Sequence, residues 1–579
     1  MSANYKRFYT KAGAMPAGIN EGYPVPGPQT EDADRIAASA FFTTDWAQAQ
    51  ATAYDFIVIG TGPTAVAFID RALARNPQAR ILVLERGGYW LPVHYQMLPA
   101  AFQATSSPCT TYPWTRSTAM ATTGSKFFQA GYIPVLGGRS SYWSAWCPAP
   151  EPDLMRDWPQ ALVAVTQKPG FWDGARTFLH VTTADRIDDG VYGGLQRQLD
   201  TNLHENFKRF VPSAEGAFPA PMAVGHSEWQ GAKFYKYSTV GTLLGLQQRQ
   251  QALADQSHGQ ELALVDQCIV QRLLHDGQGT VTALYTSRGP LSVGNARIVL
   301  AMGTIPPATL LANSFGDQLP NIGKRYTGHF MSHVIARVKR SAFKDLAALE
   351  LGAHYLHGKD EQGLQYHVQV SAFASSDPAR DAATIAYEAP DAAAVASMAQ
   401  LAGSEDYVVF VCATLGEVGE RNPDNWIRPN GGPDPTTNIT VQLQAGPREQ
   451  HLWDVLDEAT YQTIAALASR GSGALPSIEY WIEGGAPEQG FWQARRPGKQ
   501  QIRLPIIVHE ASSLWIGEDP ATSVVGLDYR PHGVRNVYVT GGGLFPTSGS
   551  WNPTLTMCGL AQDLAERLSC PVPFDRRRV

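Results

Sequence analysis

The chain has 579 residues, more than one compact hydrophobic core usually organises, so two or more domains are expected. Hydrophobic residues make up 44% and charged residues 17%, an ordinary globular balance that excludes a disordered chain. The net charge of −6 argues against a nucleic-acid surface. The sequence has no run of about 18 apolar residues, so no membrane span is expected.

The first 50 residues are rich in Gly, Pro, Ala and polar residues, and they predict an extended N-terminal arm that makes an oligomer possible. They lack the uninterrupted apolar segment of a secretory signal. The six cysteines are scattered without close pairing, so neither a disulfide framework nor a zinc site is expected. These features together predict an intracellular, cytoplasmic protein that holds no metal.

A strand, a helix and a second strand follow the arm at residues 54–59, 65–74 and 80–85. Their order and spacing predict a βαβ unit. Glu85 ends the second strand, where a carboxylate can accept hydrogen bonds from the ribose hydroxyls of a dinucleotide. The adjacent Arg86 is assigned to the same candidate site.

The turn between the first strand and the helix carries Gly60-x-Gly62-x-x-Ala65, which fits the G-x-G-x-x-G/A pattern of dinucleotide-binding proteins. Gly60 permits the tight turn, Gly62 lets the backbone approach a pyrophosphate, and Ala65 lets helix and strand pack closely. Pro63 and Thr64 open the helix, whose positive end then faces the phosphates. This turn predicts a bound dinucleotide, although it does not choose FAD over NAD. The alternative is a structural glycine turn.

Later segments predict the remaining architecture. Residues 131–150 form a glycine-bearing loop with aromatic residues. Short strands alternate over residues 263–305, and the last is followed by Gly303 and a helix, as in the second element of many FAD-binding folds. Residues 320–510 mix strand-like pieces with a Pro- and Gly-rich stretch and suit a sheet-based second domain. Residues 551–568 predict an apolar helix.

Near the end of the chain stand His509, in HEASSLWIGEDP, and Asn552, in PTSGSWNPTLT. A flavin that oxidises an alcohol needs a base for the hydroxyl proton and a hydrogen-bond donor for the developing alkoxide. A histidine serves as base near neutral pH, and an asparagine amide can hold the oxygen. Taken alone, the two residues are more typical of a structural histidine and an Asn-Pro turn.

The segments around this pair resemble the glucose–methanol–choline (GMC) oxidoreductases. The matching residues are His509-Glu-Ala-Ser-Ser-Leu-Trp-Ile-Gly517, Asp519-Pro520, Ser523-Val-Val525, Gly533-Val534, Asn536-Val-Tyr-Val539, Phe545-Pro-Thr-Ser-Gly549 and Asn552-Pro-Thr-Leu-Thr556. The chain is most similar to the branch that contains pyranose 2-oxidase and related glycoside oxidases. The residues that carry this likeness are Gly541-Gly542, the Asn-Pro-Thr-Leu-Thr segment and the loop Gly137-Gly-Arg-Ser-Ser-Tyr-Trp143.

The resemblance implies an α/β fold, α+β overall, in which a Rossmann-like FAD-binding domain is interleaved with a sheet-based substrate-binding domain. The FAD-binding domain is expected over residues 51–150, 225–320 and 509–579. The substrate-binding domain is expected over residues 151–224 and 321–508.

The resemblance also implies oxidation of a CH–OH group to a carbonyl by hydride transfer to flavin N5, with His509 as base and Asn552 orienting the hydroxyl. The expected substrate is a sugar or glycoside, or a secondary-metabolite alcohol, and the electron acceptor is O2 or a quinone. Some GMC proteins redirect this chemistry to lyase, desaturation or decarboxylation reactions, so that alternative stays open. A flavin monooxygenase or an NAD-dependent dehydrogenase would share only the N-terminal turn.

The residues expected to bind the FAD are Gly60, Gly62, Pro63, Thr64, Ala65, Glu85, Arg86, Gly137, Gly138, Ser140, Ser141, Tyr142, Trp143, Cys268, Gly303, Gly542, Asn552, Pro553 and Thr554. Tyr142 stands where pyranose 2-oxidase has a histidine that bonds covalently to the flavin, so non-covalent FAD is expected, with a tyrosyl link as the rarer alternative. Glu510 follows the catalytic histidine where many relatives have Pro or Gly. It either tunes His509 or faces solvent, and the second alternative is the one expected. Three tryptophans are candidates for stacking on a ring-shaped substrate, although aromatic residues near a flavin serve packing as often: Trp143, Trp146 and Trp551.

Overall fold

The structure, a computed structural model, describes residues 43–91, 93–97, 121–122, 128–129, 132–187, 189–225, 234–390, 398–469, 475–484 and 489–569. Most of the predicted arm, residues 1–42, lies outside the described residues. The last part of that arm is helical rather than extended, because residues Trp46–Ala51 form a helix capped by the Asp45 side chain.

The strands are β1 Phe56–Ile59, β2 Ile81–Leu84, β3 Ala121–Thr122, β4 Phe128–Gln129, β5 Val181–Thr183, β6 Ala214–Pro219, β7 Pro221–Gly225, β8 Tyr235–Lys236, β9 Ala263–Val265, β10 Val270–His275, β11 Val281–Thr286, β12 Gly289–Ser292, β13 Arg297–Leu300, β14 Thr327–Lys339, β15 Leu349–Lys359, β16 Gln365–Ser375, β17 Tyr407–Glu417, β18 Trp426–Pro429, β19 Ile439–Gln442, β20 Ile478–Glu483, β21 Gly490–Gln493, β22 Arg503–Ala511 and β23 Val537–Val539. The helices are Trp46–Ala51, Pro63–Arg75, Gln160–Thr166, Phe171–Leu179, Gly194–Phe210, Thr239–Asp255, Ile305–Phe315, Pro378–Glu388, Met398–Leu401, Pro447–Ala468, Lys499–Ile502 and Thr554–Ser569.

A parallel sheet in the order β23-β13-β1-β2-β9 forms the first core. Its central strands β1 and β2 are buried along their whole length, as the continuous apolar sequences FIVI and ILVL predict for a sheet covered on both faces. The helix Pro63–Arg75 packs against the helix Thr554–Ser569, so segments that are far apart in sequence meet here. The predicted βαβ unit is therefore present, close to its expected bounds.

A larger sheet, mostly antiparallel, has the order β21-β20-β14-β17-β16-β15-β6. The helices Gly194–Phe210 and Pro447–Ala468 pack on it and enclose a second hydrophobic core. Strand β22 pairs with β14 of this sheet, and the chain then turns into the region beside the parallel sheet, where Ser512 N–H donates to Gly542 O (3.2 Å). Strand β22 therefore connects the two sheets.

Three short sheets complete the described architecture: β10-β11-β12, β18-β19-β3 and β5-β7-β8. The mixture of parallel and antiparallel sheets with helices confirms the expected fold class. Among the helices in the described ranges, none combines the length and the apolarity that crossing a membrane requires.

Candidate active site

A cavity of ≈ 400 Å³ lies between the two sheets. Residues that follow β1, β2 and β13 form one side of it, which is where open parallel sheets bind ligands. Side chains of β14, β16, β17 and β22 form the other side. The volume is in the range of ordinary small-molecule sites.

The glycine turn after β1 opens onto this cavity. Gly60 has φ +110°, and a Cβ placed there would lie 2.5 Å from Ala301 O, so the turn requires glycine. A Cβ at Gly62 would meet no atom within 4 Å. The helix Pro63–Arg75 begins here, and no side chain caps its N-terminus. Its first N–H groups and its positive dipole end therefore fit an anionic group such as a pyrophosphate.

Glu85 and Arg86 reach the same cavity at the end of β2. The Glu85 carboxylate accepts hydrogen bonds from Thr61 Oγ1 (2.6 Å) and Gly87 N (2.8 Å). Burial raises the pKa of Glu85 to about 7, and these two hydrogen bonds oppose that rise. Hydroxyl donors on a ligand would stabilise the carboxylate further. Arg86 Nη1 donates to the Tyr132 hydroxyl (2.7 Å).

The loop at residues 137–143 is fixed to the glycine turn by hydrogen bonds among buried groups. Gly137 has φ +85°, and its N–H donates to Thr61 Oγ1 (3.0 Å). Ser140 Oγ donates back to Gly137 O (2.7 Å). Tyr142 and Trp143, which follow, face the cavity. The loop therefore forms a wall of the cavity beside the turn.

Most of the residues predicted to bind cofactor or substrate line this one cavity. They are Gly60, Gly62, Pro63, Thr64, Glu85, Arg86, Gly138, Ser140, Tyr142, Trp143, Cys268, Gly303, His509, Asn552, Pro553 and Thr554. Four others are outside the cavity lining, namely Ala65, Gly137, Ser141 and Gly542. Gly542 allows the backbone to pack closely against its neighbours, since a Cβ at this residue would lie 2.9 Å from both Glu510 O and Thr304 Oγ1.

A β-bulge in β22 presents His509 to the cavity. In the pairing of β14 with β22, Thr327 is opposite Ala511 and His329 is opposite Val508, so a single residue, Gly328, faces His509 and Glu510. His509 has φ +59°, a left-handed conformation that is uncommon for a residue with a side chain. Bulges of this kind re-aim side chains next to active sites. The strain at His509 is therefore consistent with a functional position.

The His509 ring is enclosed by protein except where it borders the cavity. Its Nδ1 lies 2.9 Å from Nδ1 of His329, and the two rings are nearly perpendicular. Loss of hydration lowers the pKa of His509 to about 3, with a smaller contribution from the Arg139 charge. The imidazole is therefore neutral at physiological pH and able to accept a proton.

A side chain of the large sheet holds Asn552. Gln369, on β16, donates from Nε2 to Asn552 Oδ1 (2.9 Å), and both side chains are buried. The fold thus brings His509 and Asn552, which are far apart in sequence, to one cavity together with the glycine turn.

Glu510 does not face solvent, so that expectation is wrong. Its side chain is only 4% exposed and forms a bidentate ion pair with Arg139, with Nη1–Oε2 at 2.6 Å and Nη2–Oε1 at 2.9 Å. Burial of the carboxylate is possible because Arg139 supplies the opposite charge at close range.

The three tryptophans that were predicted to stack on a substrate differ in their position relative to the cavity. Trp143 and Trp146 line the cavity, whereas Trp551 is outside the cavity lining. Trp551 packs instead against Trp158 and Phe545, at ring-centroid distances of 6.1 and 6.4 Å.

The sequence reasoning missed Arg139, His329, His333 and Gln369. All except His329 line the cavity, and His329 touches His509 directly. A signal was present, since histidines and glutamines stand among the apolar residues of strands β14 and β16. Buried polar side chains in a sheet require partners, and such positions often mark a site. Within the described ranges, no group of three or more His, Cys, Asp or Glu side chains is placed to hold a metal ion.

Residues 424–561, which include both His509 and Asn552, match the family model of the GMC oxidoreductases. The crystal structure of pyridoxine 4-oxidase from Mesorbium loti has a similar fold, with a TM-score of 0.55 at 15% sequence identity. That match covers 89% of this chain and 99% of the other. A comparison with curated proteins gave no match.

The family match confirms the expected enzyme class, an FAD-dependent oxidoreductase that acts on alcohols. GMC oxidoreductases are FAD-binding flavoproteins, and the glycine turn, the open helix N-terminus and Glu85 fit that cofactor. The pyranose 2-oxidase branch and the roles of single residues stay predictions.

Proposed function

We propose that the protein oxidises the CH–OH group of an alcohol to a carbonyl, with non-covalent FAD as cofactor, His509 as base and Asn552 as the group that orients the hydroxyl. The observation that carries this proposal is that His509 and Asn552 border the same cavity as the uncapped helix N-terminus. We also propose the domain boundaries expected from the sequence.

FAD would be held by the turn Gly60–Gly62, by the N-terminus of the helix that begins at Pro63, and by Glu85. When bound, it supplies the two-electron acceptor that the oxidation needs. Tyr142 occupies the position of the covalently linked histidine, so no histidyl bond can form there. Acid precipitation tests the non-covalent attachment: a yellow supernatant supports it, and a yellow pellet contradicts it.

His509 acts on the hydroxyl proton of the substrate. Its neutral ring can accept that proton at the nitrogen opposite the His329 contact, Nε2. As the proton leaves, negative charge develops on the substrate oxygen, and an amide N–H of Asn552 stabilises it. Both groups are held by neighbours on the large sheet, so little reorganisation is needed during the reaction.

The substrate-facing wall favours an alcohol with an apolar body over a sugar. Met331, Leu415 and Ile506 belong to one hydrophobic cluster, against which Leu504 and Val508 pack, and all five border the cavity. A sugar bound against this wall would bury hydroxyls without partners, at a cost of roughly 1–3 kcal/mol each. A ring-shaped or aliphatic alcohol would bury apolar surface instead. We therefore propose a secondary-metabolite type of alcohol as the substrate class.

His509→Ala tests the mechanism. The variant should keep its FAD, and the rate of flavin reduction under anaerobic conditions should fall by at least about 100-fold, the usual size of acid–base loss. Full-rate reduction would remove His509 from the role of base.

A panel of apolar primary and secondary alcohols, compared with glucose and methyl glucosides, tests the substrate class by anaerobic bleaching of the flavin. Faster bleaching by the sugars would contradict the proposal that the apolar wall of the cavity selects an alcohol with an apolar body. If a substrate turns over without bleaching, the redirected chemistry of the family replaces simple oxidation.

A further inference from the structure

A second cleft, of ≈ 460 Å³, shares no lining residue with the cavity of the candidate active site. Two of its lining side chains hold the segment that leads to Asn552. Trp158 donates from Nε1 to Thr547 Oγ1 (3.1 Å). Arg325 donates from Nη1 to Pro546 O (3.4 Å). The volume of this cleft is within the range of small-molecule sites.

Arg325 presents a fixed guanidinium to this cleft. The guanidinium lies over the Trp515 ring, 4.5 Å from the ring centroid, and the residue is half-buried. Among the described residues, no carboxylate lies within 4 Å of it, and Pro546 O is its one hydrogen-bond acceptor. Burial lowers the pKa of Arg325, although the charge of Glu420 acts to raise it. A guanidinium has five N–H donors in a planar fork that fits a carboxylate, so most of this fork is available to a ligand.

Two carboxylates of the same lining are already engaged by other arginines. Glu420 accepts from Arg421 Nε (3.1 Å) and is paired with Arg156 Nη2 (3.4 Å). Asp157 accepts from Arg421 Nη2 (3.0 Å). These ion pairs neutralise one another, and they leave Arg325 without a close counter-ion in the described part of the chain.

Residues 518–522 add negative charge to the cleft. Glu518 is exposed, and within the described ranges it forms no hydrogen bond or ion pair. Asp519 uses its carboxylate to accept from Ala521 N (2.9 Å) and Thr522 Oγ1 (3.4 Å). Because Glu518 and Arg325 line one cleft but are too far apart to pair, each is available to one end of a ligand.

The distribution of charge limits what this cleft can bind. Its lining has two arginines and four acidic residues, so an anion attracted to Arg325 would also meet an excess of carboxylates. A ligand with one positive and one negative group avoids that repulsion. Trp158 and Pro159 add apolar surface to the lining. We propose that the cleft binds a small zwitterion of the amino-acid class, with its carboxylate on Arg325, its ammonium group at Glu518 and its side chain against Trp158.

Isothermal titration calorimetry of the FAD-loaded protein tests this site, at low ionic strength because salt screens charge interactions. The probes are glycine, L-leucine and L-phenylalanine. Two compounds each lack one charge of L-leucine, namely 4-methylpentanoate and 3-methylbutylamine. We expect L-leucine to bind with a Kd of about 1 mM or tighter, and both of these compounds to bind at least about 10-fold more weakly, because each loses one charge-assisted hydrogen bond.

Two results of the titration would overturn the proposal. One is that none of the three amino acids shows saturable binding, in which case Arg325 and Glu518 are simply hydrated charges. The other is that 4-methylpentanoate or 3-methylbutylamine binds as tightly as L-leucine, in which case the cleft recognises a single charge.

Variants locate the ligand. Arg325→Gln and Glu518→Gln should each weaken the binding of L-leucine by at least about 10-fold. Arg428→Gln is the matched control, since the Arg428 guanidinium also lies over an indole ring, that of Trp426 at 4.1 Å, but outside the cleft lining. It should bind L-leucine like the wild type. Wild-type affinity in either cleft variant contradicts the proposal. If Arg325→Gln does not fold, Glu518→Gln still decides, because Glu518 is exposed and supports no other residue in the described part of the chain.

Discussion

Arg139 and Glu510 form a bidentate ion pair that joins the loop beside the glycine turn to the strand that carries the candidate base. The two partners are buried unequally, since the Glu510 side chain is 4% exposed and that of Arg139 is 39% exposed. Glu510 directly follows His509 in the bulge, so the pair also fixes the backbone there. Arg139 contributes to the low pKa of His509.

Because Glu510 is more buried than Arg139, replacing one partner of the ion pair should lower the stability of the protein by a different amount than replacing the other. Arg139→Gln leaves a buried carboxylate without a partner and should lower stability by about 1–3 kcal/mol, less than for a fully buried pair. Glu510→Gln should cost less, because the guanidinium already reaches the cavity. Thermal denaturation of the FAD-loaded variants measures the difference. The double variant should recover part of the loss, and equal Tm values for the two single variants would contradict this reading.

The low pKa of His509 predicts an unusual pH dependence. Because the ring stays neutral down to about pH 3, its protonation should not slow flavin reduction anywhere between pH 5 and 8. Arg139→Gln removes a cation and leaves the Glu510 charge, which favours the imidazolium and raises the pKa of His509. The acid limb of the rate profile should therefore move to higher pH than in the wild type. Stopped-flow reduction rates across pH measure both profiles. A wild-type rate that halves near pH 6.5 would mean that His509 has an ordinary pKa.

The role of Asn552 predicts different rates of flavin reduction for two substitutions. Asn552→Asp cannot donate to the developing alkoxide, so flavin reduction should slow by roughly 10²–10³-fold, the usual loss of one such donor. Asn552→His retains an N–H donor and should recover part of that rate. The visible spectrum checks that both variants keep FAD. Equal rates in the two variants would show that hydrogen-bond donation is not the function of this residue.

Gly328 is predicted to be essential for the position of His509. A Cβ at this residue would lie 2.8 Å from Ile507 Cγ2 and 3.0 Å from Val508 O, so β22 must shift. Gly328→Ala should therefore reduce the rate of flavin reduction by about 10-fold or more while the protein stays folded, because misplaced groups lose much of their catalytic effect.

The control for this variant is Gly245→Ala, in the helix Thr239–Asp255, where a Cβ meets no atom within 4 Å. It should leave the rate unchanged and the Tm equal or slightly higher. A Gly328→Ala enzyme with wild-type rates would mean that the bulge tolerates a wider strand separation.

The open space at Gly62 predicts a variant that loses cofactor rather than fold. Gly62→Val projects its side chain toward the place expected for the pyrophosphate, since no protein atom lies within 4 Å of its Cβ. The purified variant should contain at least about 10-fold less FAD, while its circular dichroism matches that of the wild-type apoprotein. Full occupancy with FAD would place the phosphates elsewhere.

The fold elements that local sequence determines were predicted well. The glycine turn, its helix and Glu85 form one continuous βαβ unit, so their positions follow from short-range patterns. The environment of His509 was not predictable, because the bulge depends on pairing with β14, and strand register is a long-range property. The expectation for Glu510 was wrong for the same reason. A charged residue is exposed by default, and only the fold brings Arg139 to it.

Strand β22 has a consequence for the order of events during folding. The contact of His329 with His509 closes a loop of 180 residues, and that of Arg139 with Glu510 closes one of 371. Long loops close slowly, because the chain loses conformational entropy before the contacts that stabilise the closed loop have formed. Most secondary structure of a refolding chain can therefore form before the two sheets meet. Recovery of catalysis should lag behind recovery of the helical signal, so enzyme activity reports the last step of assembly.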